Sequence, residues 1–227
     1  MAAHAAMVDR MDQGIGRIIR TLKQKGEFEN TVIFFLSDNG ASYERGYPPG
    51  FDRPGFTREG IPIDYDPLHP GSELTWGYLG DAWASAVNSP WRYWKKESFE
   101  GGIHTPFIVH WPEGLRGEEN TINHGVGHVM DLLPTCLDLA GVAYPGTFRG
   151  RNPGHMDGKS LIPMIKGEKS DTHDTLFWEH AGGRAVRIGY WKMAALKGEP
   201  WELFDLSVDR TEMKNLAGEY PEKVRSM

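Results

Sequence analysis

The chain has 227 residues, 39% of them hydrophobic and 25% charged, the balance of a globular protein long enough to bury a substantial core. A net charge of −6 and a pI near 5.8 argue against nucleic acid as a partner, because phosphate binding needs a basic surface. No apolar stretch reaches the length of a membrane span.

The first segment, Met1 to Asp9, has neither the basic start nor the apolar core of a signal peptide. From about Ala3 to Lys25, apolar Met7, Met11, Ile15, Ile18 and Leu22 recur at helical spacing, with charged residues opposite, so an amphipathic helix is expected. Gly26 suits its C-terminal cap. The run Thr31-Val-Ile-Phe-Phe-Leu-Ser37 follows, continuously apolar and bounded by a turn. It reads as a strand buried on both faces of a parallel sheet. A helix feeding such a strand implies an α/β fold. With no strand before the helix, the chain is expected to be a fragment lacking its amino-terminal part.

That strand ends in Asp38-Asn39-Gly40. Ligands of parallel sheets gather at the carboxyl ends of strands, and a carboxylate beside an amide offers two hard oxygens suited to Ca²⁺ or Mg²⁺. Taken alone, Ser-Asp-Asn-Gly is also a common turn. Residues 40–94 read as a long irregular stretch dense in aromatics, among them Tyr43, Tyr47, Phe51, Tyr65, Trp76, Trp91 and Trp94. Such a stretch can wall a binding cleft.

Glu100-Gly-Gly-Ile-His-Thr-Pro106 leads into a second short strand, Phe107 to His110. An amphipathic helix over 128–140 holds the single cysteine, Cys136, expected as a buried structural thiol rather than a nucleophile. A short helix is expected around Ser160–Ile165. The tail then changes character. Close-spaced strands at 175–179, 184–188, 191–196 and 202–206 imply antiparallel pairing, before a terminal helix from about Tyr220. A boundary near 170 would divide a larger α/β unit (1–170) from a small α+β subdomain (171–227).

Asp38-Asn39, Lys95 and Glu100-Gly-Gly-x-x-x-Pro106 fall in an order that resembles the type I sulfatases, within the alkaline-phosphatase-like hydrolases. Asn88-Ser-Pro-Trp-Arg92, Phe107-Ile-Val-His-Trp-Pro112, Asp131-Leu-Leu-Pro-Thr135 and Trp201-Glu-Leu-Phe-Asp-Leu206 agree with it, so the similarity spans essentially the whole chain. The resemblance implies part of a mostly parallel sheet flanked by helices, with a small C-terminal antiparallel sheet and terminal helix. It makes Asp38 and Asn39 ligands of a divalent cation, usually Ca²⁺ with Mg²⁺ as the alternative. Lys95 becomes the lysine that contacts the substrate sulfate, in preference to Lys96, whose spacing to Glu100 does not fit.

Gly101 and Gly102 are expected to permit a turn that side chains would block, with Glu100 as its anchor and no chemical role. His104 stands where the family varies; substrate contact is one reading and a structural role the favoured one. His180 is a lesser candidate for the cleft rim. His4 and His128 are read as helical, structural or surface residues.

Sulfatases of this type attack with a formylglycine made from Cys-x-Pro-x-Arg, or sometimes from Ser. No such motif occurs here. Asn88-Ser-Pro-Trp-Arg92 imitates it, but asparagine cannot be oxidised to that aldehyde. The formylglycine and the remaining metal ligands are therefore expected only in the missing amino-terminal part. The resemblance implies a sulfate ester substrate, aryl or carbohydrate, and favours a periplasmic or extracellular setting for the full-length protein. The rival readings are a phosphate or phosphonate ester hydrolase of the same superfamily, and a truncated non-catalytic module.

Overall fold

The computed structural model describes residues 1–44, 54–65, 69–115, 120–168 and 172–227. Helix α1 (Ala2–Lys25) forms where the periodicity places it. It stops at Gly26, whose left-handed φ of 73° turns its N–H back onto the carbonyls of Leu22 and Lys23, with Lys23 and Lys25 complementing the negative end of the helix dipole. None of its residues is buried: Met7 is 71% and Ile18 62% exposed. The apolar stripe is present, yet only partly covered: Ile15, Ile19 and Leu22 are half-buried while Met7, Met11 and Ile18 face outward.

Strand β1 (Ile33–Leu36) pairs antiparallel with β2 (Phe107–His110), Ile33 opposite His110 and Leu36 opposite Phe107. The pair stands as a two-stranded sheet. This corrects the expectation of a strand buried on both faces, since Phe35 is 38% and Ile108 57% exposed. No two strands among the described residues pair in parallel, and the parallel contact that does occur, Asp64 with Thr75, is an isolated bridge. Aromatic and β-branched side chains specify a strand, but they do not fix its direction or the number of its neighbours.

The stretch from 40 to 94 is less irregular than its composition suggests. Helix α2 (Gly80–Asn88) lies inside it, opened by Asp81 in its first turn and anchored by the fully buried Ala84. Several of its aromatics pair with one another, Tyr65 stacking on Trp76 and Tyr43 packing against Trp94. Tyr47 and Phe51, counted in the cleft-wall expectation, lie outside the described residues. Glycine-rich flanks hid the helix by masking where its short period begins.

Glu100–Ile103 forms a single helical turn, α3, immediately before β2. The segment expected as one helix over 128–140 is a 3₁₀ turn (Val129–Asp131) running into α4 (Leu132–Leu139). Its inward line is Asp131, Pro134 and Thr135, at i, i+3 and i+4, so Cys136 points outward and is exposed, not buried as expected. His128 caps the 3₁₀ turn rather than lying in a helix, its Nδ1 accepting from Met130 N. Burial holds its imidazole below the ordinary histidine range against the pull of Asp131. Asp131 is wholly buried and fully engaged. It accepts from His128 N (2.8 Å), Lys159 N (2.8 Å) and Thr172 Oγ1 (3.3 Å), and contacts His173 Nε2 at 2.7 Å. It thereby ties two distant segments, at Lys159 and at Thr172–His173, to its own turn, beside α5 (Ile162–Ile165).

The carboxy-terminal sheet matches the expected pattern closely. Strands β3 (Thr175–His180), β4 (Gly183–Ile188), β5 (Trp191–Ala195) and β6 (Glu202–Asp205) form an antiparallel meander in that order. Strand alternation sends residues to two opposite faces. One face carries Ala185, Ala194, Phe204 and Leu206 against Phe99, from the segment before α3. The other carries Val186, Met193 and Leu203 against Leu216, Val224 and Met227, the last two from the segment of α6 (Pro221–Ser226) and its end. Covering both faces makes this the best-buried part of the described molecule.

Candidate functional site

Beyond β1 the chain leaves the ribbon at Ser37, whose hydroxyl donates to the Asn39 carbonyl at 2.8 Å and tightens the turn. Asp38 is exposed there and Asn39 half-buried. Gly40 then presses against α3. Its N–H donates to Gly102 O at 3.0 Å, and a Cβ at Gly40 would lie 1.8 Å from Gly101 O. No other residue fits without parting the two segments.

Gly101 and Gly102 are required for the same reason. A Cβ at Gly101 would meet Arg92 O at 2.2 Å, and one at Gly102 would meet Glu97 O at 1.9 Å. Neither glycine has a positive φ. Space is what they provide, so the expectation of a turn that only glycine can make is refined to one of close backbone approach.

Asn88, the last residue of α2, clamps the arrangement. Its Oδ1 accepts from Ala41 N at 3.1 Å, while its Nδ2 donates to Tyr93 O at 2.8 Å and to Gly101 O. Ala41 O in turn accepts from Lys95 N at 3.0 Å. Three chain segments thus share one hydrogen-bonded knot: the Asp38–Ala41 loop, the Arg92–Lys95 loop and α3. Asn88-Ser-Pro-Trp-Arg92, set aside on sequence as an imitation of a nucleophile motif, is the bracket of that knot. Only its place within the ordered motifs signalled it.

The Lys95 ammonium lies 2.9 Å from Glu44 Oε2, with both side chains half-exposed. Pairs of this kind contribute about 0–1 kcal/mol, so little opposes the ammonium turning to another anion. Lys96 is exposed and holds a left-handed φ of 89°.

Asn39 Oδ1 is buried and accepts from no donor among the described residues. An amide oxygen without a partner is costly, and beside the Asp38 carboxylate it is a donor set that fits a hard divalent cation. Among the described residues no group of three or more His, Cys, Asp and Glu could hold a metal ion. These two residues fit as part of a shell, far short of the six to eight oxygens Ca²⁺ takes.

Glu100 turns inward from α3, away from the Asp38–Asn39 loop chemistry. Its Oε1 lies 2.8 Å from Lys192 Nζ and its Oε2 2.8 Å from His104 Nδ1. Burial would push this carboxyl up, but Lys192 and His104 outweigh it and hold the group at about 2. An ionised Glu100 can only accept, so His104 Nδ1 carries the hydrogen. The His104 ring also stacks on Trp91 at 4.2 Å. His180 ends β3 and is exposed, and its hairpin stands beside the site loop: a Cβ at Gly183 would lie 3.5 Å from Glu97 Oε2. His4 lies in α1.

Comparison with known proteins gives consistent results. A family model described as Sulfatase matches residues 1–142, and one described as N-sulphoglucosamine sulphohydrolase, C-terminal, matches residues 90–225. An uncharacterized sulfatase of Schizosaccharomyces pombe is 36% identical across 98% of this chain and 41% of its own. An arylsulfatase of Klebsiella aerogenes is 34% identical across 73% of this chain and 33% of its own. The crystal structure of Ps i-CgsB in complex with k-i-k-neocarrahexaose aligns with a TM-score of 0.69 at 23% identity, covering 98% of this chain and 40% of that one. That likeness speaks for the fold, which fits the alkaline-phosphatase-like α/β class. The chain spans about two fifths or less of the length of these relatives.

Proposed function

From the premise that this chain belongs to the sulfatase family, we propose that it is the carboxy-terminal portion of a hydrolase of sulfate esters, aryl or carbohydrate. Asp38 and Asn39 would hold a divalent cation, Ca²⁺ or else Mg²⁺, through the carboxylate and the partnerless amide oxygen. Bound there, such an ion supplies a Lewis acid that neutralises charge on a sulfate oxygen. Lys95 contributes a compact ammonium to the same sulfate, where negative charge is held in the transition state. Gly40, Gly101 and Gly102 let the backbones bearing these groups meet, and Asn88 fixes their separation.

One observation carries the reading. The loop that bears Asp38 and Asn39 is hydrogen-bonded directly to the residue that bears the ammonium, through Ala41 O and Lys95 N. The nucleophile is assigned to polypeptide outside this sequence as a formylglycine, because no Cys-x-Pro-x-Arg occurs within it. The mostly parallel sheet would be completed by the same missing portion, pairing the free edges of β1 and β2.

The test is hydrolysis of a chromogenic aryl sulfate by this sequence joined to the amino-terminal portion of its gene product. Turnover is expected, falling at least a hundredfold in Lys95→Ala, with none from the 227 residues alone. Turnover by the 227 residues alone, lost in Lys95→Ala, would overturn the division of labour. A complete protein that cleaves phosphate or phosphonate esters but no sulfate ester would replace the substrate class and leave the assigned groups in place.

A further inference from the structure

The buried charges between α3 and the carboxy-terminal sheet have no part in the proposed chemistry, yet taking them out of water is expensive. Lys192, the second residue of β5, is 0% exposed, on the face that also carries Ala194. Its Nζ lies 2.8 Å from Glu100 Oε1 and 2.8 Å from Glu212 Oε1, beneath the Trp178 ring. Glu212 is equally buried and adopts a φ of 59°, a conformation unusual for a glutamate. Its other oxygen accepts from the Glu100 backbone N–H at 2.7 Å. One ammonium therefore sits between two carboxylates, and one of those carboxylates also grips the first residue of α3 by its main chain.

We propose that Lys192 is a positioning residue, which through Glu100 and Glu212 sets the place of α3 and, through α3, of the loop carrying Asp38 and Asn39. The relay is continuous. Lys192 holds the Glu100 side chain, Glu212 holds the Glu100 N–H, and Gly102 O receives the Gly40 N–H at 3.0 Å. Gly101 O receives Asn88, which holds Ala41.

Apolar packing of Phe99 against Ala185, Ala194, Phe204 and Leu206 already joins the two regions. Apolar contact is non-directional, however, and tolerates sliding. Charge-assisted contacts at 2.7–2.8 Å tolerate very little. Well-packed hydrophobic residues would hold such a place at similar or greater stability, so the burial of three charges points to geometry as what they supply. A second tie, Arg92 Nη1 to Glu202 Oε2 at 2.8 Å, fixes the other end of the site loop to β6.

The catalytic meaning of this relay rests on the sulfate ester reading, but the coupling itself does not. Amide hydrogen exchange tests it. The triple variant Lys192→Met, Glu100→Gln, Glu212→Gln removes every charge together, so no ion is left buried alone. The amides of β4–β6 should keep their protection, while those of Gly40, Ala41 and Lys95 should exchange at least tenfold faster. A milder Glu212→Gln should move the same three amides in the same direction, and it decides the matter if the triple variant loosens the sheet. Unchanged exchange at Gly40, Ala41 and Lys95 beside an intact sheet would overturn the coupling. Since exchange does not read turnover, failure here would leave the sulfate ester reading standing, and failure of the activity assay would leave this result untouched.

Discussion

The carboxy-terminal sheet and the β1–β2 ribbon are built from equally strand-prone sequence, yet one is closed and the other open. The sheet has four strands, with Phe99 on one face and the closing segment with α6 on the other. The ribbon has two strands and outward-facing Phe35 and Ile108, and α1 buries none of its residues, with Met7, Met11 and Ile18 exposed. The lesson is that the candidate site is anchored on one side only. Its loops are tied to the closed sheet by buried ions, while the elements that deliver them from the other side are only partly covered by the described residues.

The largest effect should come from breaking the closed side. Lys192→Met alone removes the cation between Glu100 and Glu212 and leaves them, among the described residues, only His104 and one backbone N–H, at a cost of up to about 3–5 kcal/mol. Denaturant unfolding followed by Trp fluorescence should show it, and a change under about 1 kcal/mol would mean that water reaches the cluster.

Acid attacks the same cluster. Glu100 is held at about 2 against an ordinary 4.5, so its stabilisation is complete above the unfolded value and is lost as pH falls toward the folded one. The shift corresponds to at most about 3 kcal/mol. Glu212 is pushed up, first by burial and further by Glu100, against the pull of Lys192. It works in the opposite sense, its cost fading as it takes up a proton, and so reduces the net loss. Thermal melts between pH 5 and about 2 should fall steeply in the parent and less steeply in Glu100→Gln.

Asn88→Ala sharpens the comparison, because it cuts the knot without touching either sheet. Removing the clamp leaves the Ala41 N–H and the Gly101 and Tyr93 carbonyls without that partner, a loss of about 1–3 kcal/mol. Exchange should quicken at Ala41 and stay unchanged in β3–β6. The smallest effect belongs to the open side. Ile18→Gln in the 227-residue chain should shift stability by no more than about 0.5 kcal/mol, while reducing the self-association expected of an uncovered apolar stripe. A loss above about 2 kcal/mol would mean that Ile18 is packed.

The elements with strong local signals were readable. Helix α1, its glycine stop, and the four strands of the meander follow from period and turn chemistry, because each is stabilised by contacts near in sequence. What could not be read depends on distant partners. The direction of β1 is set by β2, more than seventy residues on. The outward turn of Cys136 is set by Asp131 and Thr135 bonding to residues near 160. Asp38, Asn39 and Lys95 were singled out by motif order, Asn88 entered only within a motif set aside as an imitation, and Lys192 and Glu212 were given no role. A buried lysine in a strand reads in sequence as an ordinary surface charge, and only the facing carboxylates reveal it.

The central claim is that the Asp38–Asn39 oxygens and the Lys95 segment belong to one cation-binding site, and paramagnetic broadening by Mn²⁺ tests it most directly. Mn²⁺ favours the same hard oxygens, and its effect on nearby amide signals falls off steeply with distance. Titrated into the isotopically labelled protein, it should broaden Asp38 to Ala41 together with Lys95 and Gly102, and Asp38→Ala should abolish both. Broadening of the Asp38 loop that leaves Lys95 and Gly102 sharp would contradict the account.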